Sequence, residues 1–335
     1  MEERLYCRVA AVAAHLPEAR MSTEELEDSI AELSPGFSVP RGAIQRLTGV
    51  GHRHIRPEGW YASDLAAAAA RQALAEAGRT IAEMDLLIYA GVCIDVLEPA
   101  TAHIVADKLG ADCPVFDVRN ACNSFLNALE LGDSLIRSGS HRRILICCGE
   151  ISTQVMRRRV SSMREFVDSM MGYTVSDAGA AAVLEPSAEP GILACRFSAA
   201  SSAWQAASVT LDGHFGTVDR RRPPDLSGMV KALHALGGQG VAEELSRSTG
   251  FTADDVSLFC VQFAAAQLVD DFRSVTGTPA SRLMTTIATH GNTAAATLPL
   301  QLDLAQKQGR LHRGDLAVLV GFASGVSEGI VGIRW

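Results

Sequence analysis

Cys122, in the run Asp117-Val-Arg-Asn-Ala-Cys-Asn-Ser-Phe-Leu, falls where a polar strand end passes into a segment with an apolar helical face. Unpaired N–H groups at a helix start and the positive end of its dipole favour a thiolate, the form of cysteine that attacks carbonyl carbon. A cysteine taken alone more often packs as a small hydrophobe. Here the context argues for a nucleophile. Phe125, Leu129, Gly132 and Ile136 share one stripe with Ala128, Leu131 and Leu135 beside it, so the helix is buried on a wide face, and Gly139 offers its C-cap.

The elements that must hold this turn read as alternating strand and helix. Val9 to Ala14 is a short strand, Ser22-Thr-Glu-Glu-Leu a capped helix start, and residues 62 to 77 an alanine-rich helix begun by Ser63-Asp64 and ended near Gly78. Leu86-Leu-Ile-Tyr-Ala-Gly reads as a buried strand, followed by a helix from about Thr101 to Leu109, the Val115-Phe116 strand, the Cys122 helix and a strand from Ile144 to Cys148. After residue 190 the same grammar returns: a strand near Ile192, a helix before Gly250, the strand Ser257-Leu-Phe-Cys-Val, a helix through about Phe272, a helix after Asn292 and a strand from Leu316 to Gly321. Such alternation predicts an α/β protein with mostly parallel sheets covered by helices, built as two similar halves, residues 1–190 carrying the nucleophile and 191–335 following. Trp204 to Gly240 is the least regular stretch and is expected to cover a substrate opening.

Composition narrows the function. A chain of 335 residues, 47% hydrophobic and 20% charged, suits one large domain or two fused ones. A net charge of -8 gives no support to nucleic-acid binding. Two basic clusters, Arg157 to Arg159 and Arg220 to Arg222, read as solvated surface or as contacts for a phosphate or an acidic carrier. The eight cysteines show no CxxC pair and no regular spacing, so neither a metal site nor a disulfide framework is expected. No basic start precedes a long apolar run and no stretch reaches membrane-helix length, which leads to the expectation of a cytoplasmic protein without a membrane span.

Five ordered motifs carry a resemblance. They are Thr48-Gly-Val with Arg53, Asp117-Val-Arg-Asn-Ala-Cys122, Ser176-Asp-Ala-Gly-Ala-Ala, His290-Gly-Asn-Thr-Ala-Ala-Ala, and Gly314-Asp with Gly321-Phe-Ala-Ser-Gly. Over nearly its full length the chain resembles the thiolase-fold condensing enzymes of the β-ketoacyl synthase III type. The resemblance implies a duplicated five-layered αβαβα architecture, usually a homodimer. It also implies no cofactor beyond the CoA or acyl carrier protein that bears the substrate. Asp95-Val-Leu-Glu-Pro-Ala-Thr-Ala resembles the branch that joins two acyl thioesters head to head, in which a partner subunit's glutamate reaches the active site, and Glu98 matches that residue. A plainer role for Glu98 is to cap the helix after Pro99.

By the same resemblance Cys122 becomes acylated, its own N–H and one near Ala323 and Ser324 form the oxyanion hole, and the Asn292 amide stabilises the carbonyl or enolate of the second substrate. Arg53 and His290 fall in the matched motifs as substrate-side positions, His290 with a structural alternative. The chain departs from the family where a histidine is usual: Leu258-Phe-Cys-Val-Gln-Phe-Ala-Ala places Gln262, or Val261 after a shift of one residue, at that position. A glutamine amide donates a hydrogen bond but takes no proton near neutral pH. Glu98 is then the expected base, its pKa raised by burial in an apolar acyl tunnel. Ile44 and Leu47 lie where relatives carry nucleotide-contacting tryptophan and arginine, leaving CoA or carrier protein open, and the small residues Gly91, Ala295 and Ala296 are expected to leave room for an acyl tail. Three activities fit: a Claisen condensing enzyme yielding a β-ketoacyl product, an acyltransferase to an alcohol or amine, and a non-catalytic partner in a heterodimer with a related synthase.

Overall fold

The structure, a computed structural model, describes residues 5–210, 247 and 250–335. Two five-stranded sheets form its frame. The first takes β1 (Tyr6–His15), β4 (Leu86–Tyr89), β5 (Val115–Asp117), β6 (Ile144–Ile151) and β7 (Asp177–Ser187) in the order β1-β7-β6-β4-β5, and β2 (Arg20–Ser22) and β3 (His52–His54) make a separate ribbon. The second takes β8 (Ile192–Ala199), β9 (Leu258–Val261), β10 (Leu283–Met284), β11 (Leu316–Ala323) and β12 (Ser327–Arg334) in the order β10-β9-β11-β12-β8. The sheets are mixed, which corrects the expectation of mostly parallel strands. In the first, β4 runs parallel to β5 and β6 while β7 runs antiparallel to β6 and β1. In the second, β11 runs parallel to β9 but antiparallel to β12, because three residues are enough for a hairpin turn between them.

The layers follow from which helix faces are apolar. The helix Ser124–Arg137 buries Phe125, Leu126, Ala128, Leu129, Gly132 and Ile136, and it packs on β1, β6 and β7 of one sheet and β12 of the other. Beside it the helix Thr297–Lys307 touches β1 and β7 on one side and β9 and β11 on the other. These two helices are the central layer, sharing one apolar cluster with strands of both sheets. The helices Ala62–Glu76 and Thr101–Leu109 cover the outer face of the first sheet, and Gln267–Thr276 packs Leu268, Val269 and Phe272 against the outer face of the second.

Close approach of the helix Ala62–Glu76 to the sheet requires glycine beneath it. A Cβ on Gly149 would sit 1.8 Å from the Ala62 carbonyl oxygen, and one on Gly179 would sit 2.0 Å from that of Leu65. Backbone is there on both sides, so neither can yield. Gly149→Ala is therefore expected to cost at least about 3 kcal/mol, the upper part of the range for an overpacked core, read as a lower midpoint in urea denaturation. Gly149 immediately precedes Glu150, so the same close approach fixes where that carboxyl enters the interior.

Candidate active site

Both sheets end on one cavity of about 500 Å³ between the halves, within the size of small-molecule sites. Most of its wall is apolar, with Val92, Ile94, Val155, Met171, Phe263 and Phe322 among the lining residues, and Cys122, Gln262, Asn292, Ala323 and Ser324 all face it. Four expected site positions from three separate motifs, together with the nucleophile, thus converge on one space. Of the stretch expected to cover a substrate opening, the segment from Ala206 to Thr210 lines the cavity, and 211–240 lie outside the described residues, as do Arg220 to Arg222 and most of the helix expected before Gly250.

The nucleophile turn is built by its own polar residues. Ala121 has a φ of 47°, uncommon for a residue with a side chain. It is held there by the Ser124 hydroxyl, which donates to the Ala121 carbonyl at 2.6 Å and accepts from the Asn120 N–H at 2.8 Å. Among the described residues, the other non-glycine positions with positive φ are Ala294, which lines the cavity, and Val326, in the turn after Ser324. Unfavourable backbone at two points on one cavity wall, Ala121 and Ala294, marks a site whose shape the fold enforces. Asn123 then donates to the Ser327 hydroxyl at 3.1 Å, tying the turn to the second sheet.

The expected thiolate is not the resting form. The helix itself starts at Ser124, and burial pushes the Cys122 thiol up to about 11, a rise that the amide of Gln262, hydrogen-bonded to the sulfur, only partly opposes. Desolvation outweighs the helix dipole because the dipole supplies only a fraction of a charge, whereas burial removes the water around the sulfur. Gln262 follows the end of β9 and is anchored there by its backbone N–H, which donates to the Val320 carbonyl at 3.0 Å. Its side chain is buried, and its Oε1 has no partner among the described residues. The alignment that places Gln262 facing the sulfur is thus the one the geometry supports, and Val261 points into the core of the second sheet.

Asn292 is held by its backbone, which donates to Thr174 at 2.8 Å and accepts from Ser176 at 2.9 Å. Its Oδ1 accepts from the Ala294 N–H at 3.0 Å. Among the described residues the Nδ2 donors have no partner, and Asn292 lines the cavity, so the turn contact leaves them available to a bound molecule.

Several expected positions lie elsewhere than the cavity wall. Val96 and Leu97 line the cavity, but Glu98 next to them is exposed and is not on its wall, so its own chain encloses it in no apolar tunnel. It does not cap the following helix either: Asp117 accepts from the N–H groups of Thr101 and Ala102 at 2.9 and 2.8 Å. Arg53 does not meet the cavity. Its guanidinium is fully buried and donates to the Thr23 hydroxyl at 3.0 Å and the Tyr173 carbonyl at 3.1 Å, stitching the β2–β3 ribbon to the first half. His290 is also off the cavity wall, packed edge-on against His54 with ring centroids 5.3 Å apart and pushed down to about 4 by burial, His54 and Arg20. Its ring contact is thus with β3 rather than with the cavity. Gly91, Ala295 and Ala296 are buried and line no part of the cavity. Ile44 is in a core cluster and Leu47 is exposed.

Two residues that the sequence reading passed over belong to the site. Cys93 lines the cavity. Behind it Glu150 is fully buried, accepting from the N–H groups of Val92 at 2.8 Å and Cys93 at 3.2 Å, and burial raises it to about 7 despite those bonds. The available signal was a carboxylate closing the otherwise apolar run Ile144-Leu-Ile-Cys-Cys-Gly-Glu, where a buried charge needs a reason.

Residues 116–201 match the family 3-oxoacyl-(acyl-carrier-protein) synthase III, and residues 246–335 match its C-terminal part, together just over half of the chain. Among solved structures, a glutamate-to-glutamine variant of Xanthomonas campestris OleA is similar at a TM-score of 0.86 and 23% identity, covering 100% of this chain and 99% of that one. A histidine-to-alanine variant of the same protein gives 0.87 and 24%, covering 98% of each chain. The cerulenin-bound glutamine variant gives 0.84 and 23%, covering 98% of this chain and 97% of that one. At these identities the likeness establishes the fold, which is the duplicated thiolase architecture.

Proposed function

This chain belongs to the 3-oxoacyl-(acyl-carrier-protein) synthase III family, and from that premise we propose that it condenses two acyl thioesters through an acyl-Cys122 intermediate to give a β-ketoacyl product. The observation that carries the reading is the convergence of Cys122, the Gln262 amide and the free donors of Asn292 on one apolar cavity. Cys122 attacks the first thioester carbonyl, and the oxyanion is met by the cysteine N–H and a donor at Ala323–Ser324. Asn292 and Gln262 then polarise the second carbonyl. Exposed Arg119 at the cavity wall is placed to meet an anionic group of a CoA or carrier-protein pantetheine.

Removal of an α proton falls to Glu98 of a second copy in a homodimer, a reading supported by its exposure beside exposed Leu97 and Val96. Glu98→Ala is expected to leave acylation of Cys122 intact and to slow β-ketoacyl formation by about 10²- to 10⁴-fold, the usual worth of a general base, measured by product chromatography beside intact-protein mass spectrometry. Equal loss in both steps would contradict that division of roles.

A second reading, acyl transfer to an alcohol or amine, is favoured by the unpartnered Oε1 of Gln262, an acceptor suited to an incoming O–H or N–H. The deciding experiment is incubation with acyl-CoA of graded length, first alone and then with a second thioester or a panel of alcohols and amines. A mass increase on Cys122 followed by a β-ketoacyl product supports condensation, and an ester or amide without it supports transfer. Absence of any adduct across the panel would refute both.

A further inference from the structure

We propose that the first sheet carries, at the end away from the catalytic cavity, a binding site for a phosphate dianion, free or as a monoester, built by Arg8, Arg79, Arg142 and Arg143. These four side chains, with Glu185 and Pro186, line a second cavity of about 280 Å³. Its position follows from the sheet. Arg8 and Glu185 face each other across the antiparallel β1–β7 pair, and Arg143 immediately precedes β6, whose first residue Ile144 pairs with Leu184 of β7. Arg79 arrives just after the helix Ala62–Glu76, its backbone N–H donating to the Leu74 carbonyl at 2.9 Å. Ser152, which follows the other end of β6, lines the catalytic cavity. The length of that strand therefore holds the two cavities about 25 Å apart.

One carboxylate cannot neutralise this wall. Glu185 is buried, and Arg79 Nε meets it at 2.6 Å, Arg8 Nη2 at 3.5 Å and Arg143 Nε at 3.6 Å. Each arginine thus engages it through a single nitrogen, and no bidentate pair forms. Arg79 also reaches Glu83 at 3.4 Å. Exposed Arg142 has no ion pair among the described residues. Asp85 holds the turn rather than the cavity, accepting from the Arg142 and Arg143 backbone N–H groups at 2.7 and 3.1 Å. Burial pushes Glu185 up, but Arg79 and Arg8 more than offset it and hold its carboxyl below the ordinary value, so it is a fixed anion. The wall therefore carries three positive charges in excess, or two when Glu83 is counted with it. A phosphate monoester, with a charge of about -1.5 to -2 near neutral pH, balances that excess, whereas a single carboxylate does not. The unused guanidinium N–H groups of Arg8, Arg142 and Arg143 suit phosphate oxygens, which take planar, paired donors. The cavity is just below the range for whole small molecules, the size for a phosphate group and the first atoms of what bears it.

The test is isothermal titration calorimetry of the full chain at low salt in a phosphate-free buffer, with inorganic phosphate, glycerol 3-phosphate and, as the carboxylate control, acetate at equal ionic strength. One saturable site per chain is expected for the two phosphate ligands and none for acetate. Arg142→Ala, whose side chain holds no ion pair and so does not endanger the fold, is expected to weaken binding about tenfold, the worth of one charged hydrogen bond. Glu185→Gln removes the carboxylate that competes for the arginines and is expected to tighten binding about tenfold. A cluster that served the fold alone would lose stability in Glu185→Gln and bind no phosphate in either protein. Arg119→Ala, on the catalytic cavity, is expected to leave the phosphate affinity unchanged. If Glu185→Gln does not fold, Arg142→Ala and Arg8→Ala decide between them. Tighter binding of glycerol 3-phosphate assigns the site to an ester and tighter binding of inorganic phosphate to the free anion, and either order supports it. Absence of saturable binding, an affinity untouched by Arg142→Ala and Arg8→Ala, a loss on Arg119→Ala instead, or acetate binding as tightly as phosphate would overturn the proposal.

Discussion

Cys122→Ala is expected to abolish the covalent acyl adduct and to lower turnover by about 10⁴-fold or more, the scale on which enzymes lose activity with their nucleophile. No neighbouring group can take over. Cys93 lines the same cavity, but burial and Glu150 raise it well above its ordinary value, so it too is held as a thiol. The fold should survive, because a methyl group replaces a thiol at the end of a turn held by Ser124 and Asn123 rather than by the sulfur. The Gln262 amide loses an acceptor in the process, at a cost of about 1–3 kcal/mol if water does not replace it. Adduct mass, turnover and melting temperature measured together separate these effects. Persistent turnover in Cys122→Ala with native melting would show that chemistry proceeds without acylation, and the thiolase-type mechanism would then be wrong for this chain.

Asn292→Asp should cost nearly as much as Asn292→Ala, about 10²- to 10³-fold in turnover, the value of one preorganised oxyanion donor. The aspartate variant is the sharper experiment. A carboxylate retains an oxygen to accept from the Ala294 N–H, so the turn with its positive φ at Ala294 is kept, but it has no N–H to offer and places negative charge where negative charge must develop. A residue that served only the turn would tolerate aspartate and suffer from alanine. Comparing kcat for the second-substrate step with the rate of Cys122 acylation locates the loss, which belongs in the condensation step and not in acylation.

How far the chain could be read in advance varied from residue to residue for physical reasons. The Cys122 helix announced itself through a stripe of apolar residues at helical spacing, and its buried face agrees. The Ser22 start was legible because capping is local: its hydroxyl accepts from the Glu25 N–H while the Glu25 carboxylate accepts from the Ser22 N–H. Strand direction was not legible. Whether β7 returns antiparallel beside β6 depends on the path of the connecting chain, and a buried strand carries the same residues either way. Arg53 lies in a matched motif, but its meeting Thr23 and Tyr173 is a contact between segments far apart in sequence. The thiolate expectation failed for a similar reason, since the helix-dipole effect belongs to the local sequence and desolvation belongs to everything packed around it.

The sequence by itself therefore determined the chemistry on offer: a cysteine at a helix entry, an asparagine after glycine, and a glutamine where an imidazole is usual. Their types and order along the chain are covalent facts, and the periodicity of the flanking residues decides which segments are buried. Only the tertiary structure decided which of these groups face one cavity and in what state of charge. Glu150 shows why most plainly: its carboxyl is ordinary in the sequence, and it titrates near neutrality only because a glycine-to-backbone approach, a cavity loop and the segment after Asn292 close around it and exclude water.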